Sequence, residues 1–367
     1  MTNKMPIPLD EVEAGADRYT AGHMATERWI AARSAGPEEE RLNWSLRPTC
    51  LEEYVGQGDV LERIRIAITA ARGRGECLEH ILLHGPPGLG KTTLAHVVAT
   101  EMGSNVHTTS GPAITRGSDL VGALTKLREN DVLFIDEVHR LPIAVEEFIY
   151  PAMEDGRIDV AVDSGMNART VTITLKPFTL IGATTRAGLL SAPLRSRFGM
   201  THHLKYYPAE DLLTILQRNA RRLEVGAADD ALESVAKRSR GTPRIANRLL
   251  RRVRDYAQVR SDGNIELNIV DEALALEGVD GLGLDDLDNR YLRVIGTTYK
   301  GGPVGLEAIA ATMGEDAQTL EDVVEPYLLQ IGFLARTRRG RALTAAGGAR
   351  VGIEIVEQAG LFLGEPE

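Results

Sequence analysis

The run Gly85-Pro-Pro-Gly-Leu-Gly-Lys91-Thr92 carries the residue types that surround a phosphate chain, at the spacing G-x-x-x-x-G-K-[ST]. Its glycines let backbone N–H groups turn inward around phosphate oxygens, where a Cβ would block the approach. A helix predicted to start at Lys91 adds its positive end at the anion. Lys91 can reach the β- and γ-phosphates of a nucleoside triphosphate, and the Thr92 hydroxyl, with Thr93 beside it, can sit on Mg²⁺. A second group follows. The apolar run Val132-Leu-Phe-Ile135 ends in Asp136 and Glu137. At the carboxyl edge of a sheet Asp136 can hold Mg²⁺ through water, and Glu137 can orient and deprotonate an attacking water. The two carboxylates predict ATP hydrolysis rather than nucleotide storage.

These residues need a scaffold, and the surrounding pattern supplies one. Short apolar runs at 81–84, 132–135 and 178–181 read as buried parallel strands. Helical stretches such as 58–72 and 91–101 lie between them. Residues 46–207 are therefore expected to form a doubly wound α/β sheet. Alternating apolar residues at 158–162 and 171–175, around Ser164-Gly165-Met166-Asn167, predict an inserted β-hairpin. Residues 208–280 read as helices only, one of them opened by Thr242 as N-cap and Pro243 at its first position. Residues 281–360 form a last unit, whose stretch 285–330 holds three short helical patterns, split at Gly301-Gly302-Pro303 and at Gly314. A hairpin over Phe333–Thr344, turning near Arg339-Gly340, completes the expectation of a winged helix. Residues 1–45 lack sustained periodicity and read as a partly disordered extension.

Composition narrows the functions. The chain has 367 residues, with 42 Lys plus Arg against 52 Asp plus Glu, a net charge of −10. That balance argues against coating nucleic acid with the whole surface but allows one basic face. No acidic residue lies between Glu325 and Glu354, whereas Arg336, Arg338, Arg339, Arg341 and Arg350 do. Arginines on a small hairpin suit contact with DNA phosphates, which positions without reading sequence. The further arginines of the helix opened by Thr242-Pro243, at 248, 251, 252 and 254, read as a solvated face. Two cysteines cannot build a disulfide framework. The absence of an apolar span or signal-peptide core points to a cytoplasmic protein. His80, His84, His202 and His203 are not spaced to share a metal.

The phosphate loop and the Asp-Glu pair at this separation resemble the AAA+ ATPases. Within them the chain is similar to the RuvB family of bacterial motors, which drive branch migration at Holliday junctions in recombination and repair. The segments that carry the likeness are Leu46-Arg47-Pro48, Glu53-Tyr54-Val55-Gly56-Gln57, His84 to Thr93, Asp136-Glu137-Val138-His139-Arg140, Leu180 to Arg186, Arg197-Phe198-Gly199 and Gly241-Thr242-Pro243-Arg244. The likeness covers about residues 46 to 350. It implies that Leu46, Arg47 and Tyr54 to Gln57 border the adenine. Gly88, Gly90, Lys91, Thr92, Thr93, Glu154, Asp155, Gly156, Tyr207 and Arg244 would serve the nucleotide, Arg244 as a sensor. Thr185 would read the γ-phosphate, and Arg197 would reach into the neighbouring subunit's site, with Arg195 as a nearby competitor. Arg336 and Arg341 would contact duplex DNA. The hairpin at 158–175 would dock a RuvA-like junction-binding protein. A homo-oligomeric ring, a hexamer, and a RuvC-like resolvase are further implied. Tyr54-Val55-Gly56 also spells the peptide-gripping loop of AAA+ unfoldases, but it precedes the phosphate loop instead of following it, so an unfoldase is not read. The competing functions are a clamp or helicase loader and an ATP-gated DNA-binding regulator.

Overall fold

A computed structural model describes residues 44–161 and 170–355. The strands are β1 Ile81–His84, β2 Val106–Ser110, β3 Val132–Asp136, β4 Arg157–Ala161, β5 Thr170–Thr174, β6 Thr179–Thr184, β7 Met200–His203, β8 Leu334–Thr337 and β9 Gly340–Leu343. The longer helices of the first half are α1 Gly58–Arg74, α2 Lys91–Met102, α3 Gly117–Leu124 and α4 Ile143–Glu154, followed by the short α5 Ala192–Ser196. Then come α6 Ala209–Arg222, α7 Asp229–Lys237, α8 Pro243–Arg260, α9 Leu267–Leu276, α10 Asp286–Arg293 and α11 Leu306–Met313.

The central sheet runs β2-β3-β6-β1-β7, and each neighbouring pair is parallel. Its inner strands β3, β6 and β1 are mostly apolar and buried at nearly every position, because both faces are covered. Side chains alternate between two cores. Ile81, Leu83, Val132, Phe134, Ile181 and Ala183 face one cluster. Leu82, Leu133, Ile135 and Leu180 face the other. The first cluster continues without a break into α6–α9, so the main core crosses the expected boundary at 207–208. A third cluster, from Leu284 to Leu343, belongs to the C-terminal helices and the β8–β9 wing.

The hairpin β4–β5 stands as its own two-stranded antiparallel sheet, and its expected turn lies outside the described residues. The three C-terminal helical patterns break where the glycines predicted, and two of them run into π-helical turns at Val294–Thr298 and Leu320–Val324. Thr242 is the N-cap of α8 with Pro243 following, although its hydroxyl bonds to Ser239 O rather than to the helix. One expectation is corrected. Arg248 and Arg251 are buried on the inner side of α8 rather than lying on a solvated face, and Arg252 and Arg254 are half-buried. The helix turns apolar and arginine positions alike toward its neighbours, and long arginine stems pack well there.

Candidate ATPase site and DNA interface

The phosphate loop is shaped by contacts that only glycine tolerates. Gly85 has φ 138°, and a Cβ there would lie 2.4 Å from Leu204 O. Gly90, the left-handed N-cap of α2, would place a Cβ 2.7 Å from the Tyr54 Oη. Tyr54 Oη donates to Gly90 O at 3.4 Å, and Tyr207 Oη donates to Leu89 O at the same distance. Two buried tyrosines, one from each side of the cleft, thus hold the loop's backbone. Burial raises the pKa of both phenols, which keeps them protonated donors. Gln57 closes this side by exchanging hydrogen bonds with the Lys205 backbone at 2.6 and 3.0 Å. Leu46 is buried nearby in sequence, and Arg47 stacks over Trp44 with its guanidinium 4.4 Å from the ring centre.

Lys91 is only 7% exposed. Its Nζ donates to Gly85 O at 2.8 Å and Pro86 O at 2.7 Å. Burial pushes its pKa down to about 8, Asp136 pushes it back up, and Arg244 lowers it. Lys91, Asp136 and Arg244 therefore share one electrostatic field. Asp136 Oδ1 accepts the Glu137 N–H at 2.9 Å, which pins the carboxylate at the strand end. Glu137 itself sits at φ 47°, a conformation costly for a residue with a Cβ, by roughly 1–3 kcal/mol. Its carboxylate pairs with Arg140 at 2.9 Å. A threonine hydroxyl at the start of α2 and a carboxylate at the end of β3 are hard oxygen donors that fit Mg²⁺ beside a triphosphate.

The expected sensor, Thr185, is exposed one residue beyond the end of β6. Its neighbour Thr184 was missed. The buried Thr184 hydroxyl lies 2.9 Å from His139 Nδ1 and accepts Arg186 N–H at 2.9 Å, tying β6 to the turn after Glu137. Arg186 continues the chain of contacts to Asp322 of the winged helix at 2.5 Å. No periodicity could have revealed a link between residues so far apart in sequence.

Arg197 does not join this cluster. It pairs with Glu154 at 3.1 Å, and Met153 O bonds His80, the residue before β1. The phosphate loop follows the other end of that strand, about 13 Å away at 3.3 Å per residue. Glu154, Asp155 and Gly156 lie with Arg197, not with Lys91, and Asp155 is engaged by Arg157 at 3.1 Å. Arg195 is spent on backbone, donating to Ala187 O and Leu190 O.

The wing has its own centre. Arg336 and Arg341 face each other across β8 and β9. Like charges so placed repel, and both close on Glu325, which is 0% exposed. Arg336 Nε donates at 2.8 Å to one oxygen, Arg341 Nε at 2.8 Å to the other, where Tyr291 Oη also donates at 2.6 Å. Glu321 adds a second carboxylate. The turn residues Arg338 and Arg339 are exposed. On the hairpin, Ile158 is buried while Val171 of β5 is 49% exposed.

A parallel sheet carrying a phosphate loop, with a helical lid beside it and a winged helix beyond, places this chain among the AAA+ P-loop ATPases, which bind nucleotide. Residues 46–204 match the family described as the Holliday junction DNA helicase RuvB P-loop domain, residues 207–280 the RuvB AAA lid domain, and residues 281–351 the RuvB C-terminal winged helix domain. The chain belongs to the RuvB family. It is 53% identical over 327 residues to the Holliday junction branch migration complex subunit RuvB of Kosmotoga olearia, covering 89% of this chain and 95% of that one. The Myxococcus xanthus protein of the same description is 56% identical over 308 residues, covering 84% and 90%. The solved Thermotoga maritima RuvB Holliday junction branch migration motor superposes with a TM-score of 0.76 at 48% identity, covering 85% of this chain and all of that one (100%).

Proposed function

We propose that this chain is an ATP-driven DNA motor that moves Holliday junctions by pulling duplex DNA. It does so as a ring, a hexamer, in the cytoplasm, with a RuvA-like junction-binding protein docked on the β4–β5 hairpin. Family membership supports the activity, and one observation supports the ring. Lys91, Asp136 and Arg244 converge on the phosphate loop, whereas Arg197 is held about a strand's length away. A protomer then offers its arginine to a neighbour's nucleotide instead of its own.

Lys91, the loop amides and the start of α2 bind the triphosphate. Thr92 and Asp136 would hold Mg²⁺, which supplies charge neutralisation between the β- and γ-phosphates. Glu137 accepts a proton from the attacking water. Arg197 of the adjacent protomer stabilises the charge that grows on the leaving phosphates, worth roughly 10³–10⁵ in rate. Thr185 and Arg244 sense the γ-phosphate, and Arg186 passes the change to the winged helix through Asp322. The wing arginines grip backbone phosphates without reading sequence, the exposed Arg338 and Arg339 most strongly and Arg336 and Arg341 with the charge that Glu325 leaves them.

Glu137→Gln should keep ATP binding and ring formation and lose turnover. Rings mixed from Arg197→Ala and Lys91→Ala subunits should regain part of the hydrolysis, because intact pairs form across some interfaces. Migration of a synthetic four-way junction that requires both ATP and the junction-binding partner separates this motor from a loader or an ATP-gated regulator.

A further inference from the structure

Arg197 is held in an unusual way for a cation. Its Nη1 donates to Pro193 O at 2.7 Å, and its Nη2 meets Glu154, itself mostly exposed, at 3.1 Å. Its Nε is buried with no hydrogen-bond partner among the described residues. What covers it is the face of Tyr150, whose ring centre lies 4.4 Å from the guanidinium carbon. Tyr150 is fixed in turn. Its hydroxyl donates to Glu146 at 2.8 Å and lies 3.3 Å from the Ser191 hydroxyl, which donates to the same Glu146 oxygen at 2.5 Å. Ser191 is the N-cap of α5, and Arg197 is the C-cap of that helix. Glu146, Tyr150 and Glu154 are spaced by four along α4 and so form one stripe. This stripe grips α5 at both ends, through Ser191 at its start and Arg197 at its finish.

We propose that Tyr150 is the positioning residue for Arg197, its ring face aiming the guanidinium across the subunit interface without adding an opposite charge of its own. The proposal rests on the reading of Arg197 as the arginine that acts in trans. A buried carboxylate in the same place would orient the guanidinium but would also cancel the charge the transition state needs. A ring quadrupole attracts the cation without carrying a net charge. A planar guanidinium can also slide over a flat ring without losing contact, which suits a group that must shift toward a neighbour's phosphate. Glu154, largely solvated, adds little to this hold.

The test uses the full chain assembled as rings. Tyr150→Leu should lower kcat by about ten- to a hundredfold, the scale of a small misplacement of a catalytic group. KM for ATP should stay within about twofold, because Lys91's own pocket is untouched. Tyr150→Phe keeps the ring and should stay within about threefold of wild type. Mixed rings of Tyr150→Leu and Lys91→Ala subunits should recover as rings of Arg197→Ala and Lys91→Ala do. Tyr150→Leu should add nothing to Arg197→Ala in the double variant. Phenylalanine at 150 carrying one to three fluorines preserves shape and folding, and log kcat should fall stepwise with fluorination. Wild-type kcat in Tyr150→Leu, a loss that mixing does not rescue, or a flat fluorination series overturns the proposal. Wild-type hydrolysis in Arg197→Ala instead removes the reading of Arg197 beneath it, and is scored separately.

Discussion

Lys91 at the phosphate loop and the Arg336–Arg341 pair at the wing are both cations held by oxygen, but the oxygens differ. Lys91 is held by two backbone carbonyls, which carry no net charge, so its ammonium meets an incoming anion without a direct ion pair to break. The wing pair is held by a buried carboxylate, with Glu321 beside it. Much of its charge is spent within the protein, and its geometry is fixed. The first arrangement is built to receive a ligand. The second is built to hold a shape, the root of the wing, from which Arg338 and Arg339 project.

Removing Lys91 tests the first half most severely. Lys91→Ala should cut kcat/KM for ATP by at least ~10²-fold, the scale for loss of one preorganised charge in a site sheltered from water. Steady-state hydrolysis and nucleotide binding by calorimetry both read it. A variant that still binds ATP with wild-type affinity would show that the loop amides alone receive the anion.

Glu325 tests the second half. Glu325→Ala leaves Tyr291 and two arginines without their shared acceptor. Breaking a fully buried pair costs about 3–5 kcal/mol. Solvent reaches Arg336, 44% exposed, and less so Arg341, 18% exposed. The expected loss is therefore about 2–4 kcal/mol, read by chemical denaturation. A loss below about 0.5 kcal/mol would mean that the wing root is an ordinary surface ion pair.

How much of this was visible in the sequence depends on the range of the interaction. β1 runs Ile81–His84 and the strand before Asp136 starts at Val132, as their apolar runs predicted, because burial on both faces leaves a local signature. β2, Val-His-Thr-Thr-Ser, carries none: it is an edge strand, half-buried, and pairs only with β3. The phosphate loop is legible because its chemistry is contiguous. Glu325 was visible only as the boundary of an acid-free stretch, and its partners lie 11, 16 and 34 residues away. Tyr150 beneath Arg197 is separated from it by 47 residues and a hairpin, so only the folded chain brings the two together.

The salt dependence of DNA binding sharpens the division within the wing. Each phosphate contact contributes about −0.9 to the slope of log affinity against log salt. If Arg338 and Arg339 carry the mobile charge, replacing both with Ala should make the slope shallower by about 1.8. Arg336→Ala should change it by less, since that charge is already met by Glu325. Equal changes for all three arginines would erase the distinction between root and tip.

The smallest effect separates the two halves by pH. Burial lowers the pKa of His80, His84, His96, His139 and His202, with further cations near four of them adding to the fall. None of the 8 histidines in the sequence lies beyond 203, so the winged helix has none. A histidine kept neutral in the fold contributes stability that is fully present above its unfolded value, near 6.5, and is lost as pH falls below it, because the unfolded chain then binds the proton. His80 makes the cost concrete: its Nδ1 accepts the Leu180 N–H at 2.9 Å, so a proton there breaks a bond between β1's approach and β6. Between pH 7.5 and 5.5, amide exchange in the full chain should therefore speed up in β1 and β6, after correction for the intrinsic rate, while β8 and β9 keep their protection. Equal loss in the wing would mean that acid does not act through the histidines. His80→Gln, which keeps an acceptor but cannot be protonated, should flatten part of the pH dependence in β6 and leave the wing unchanged.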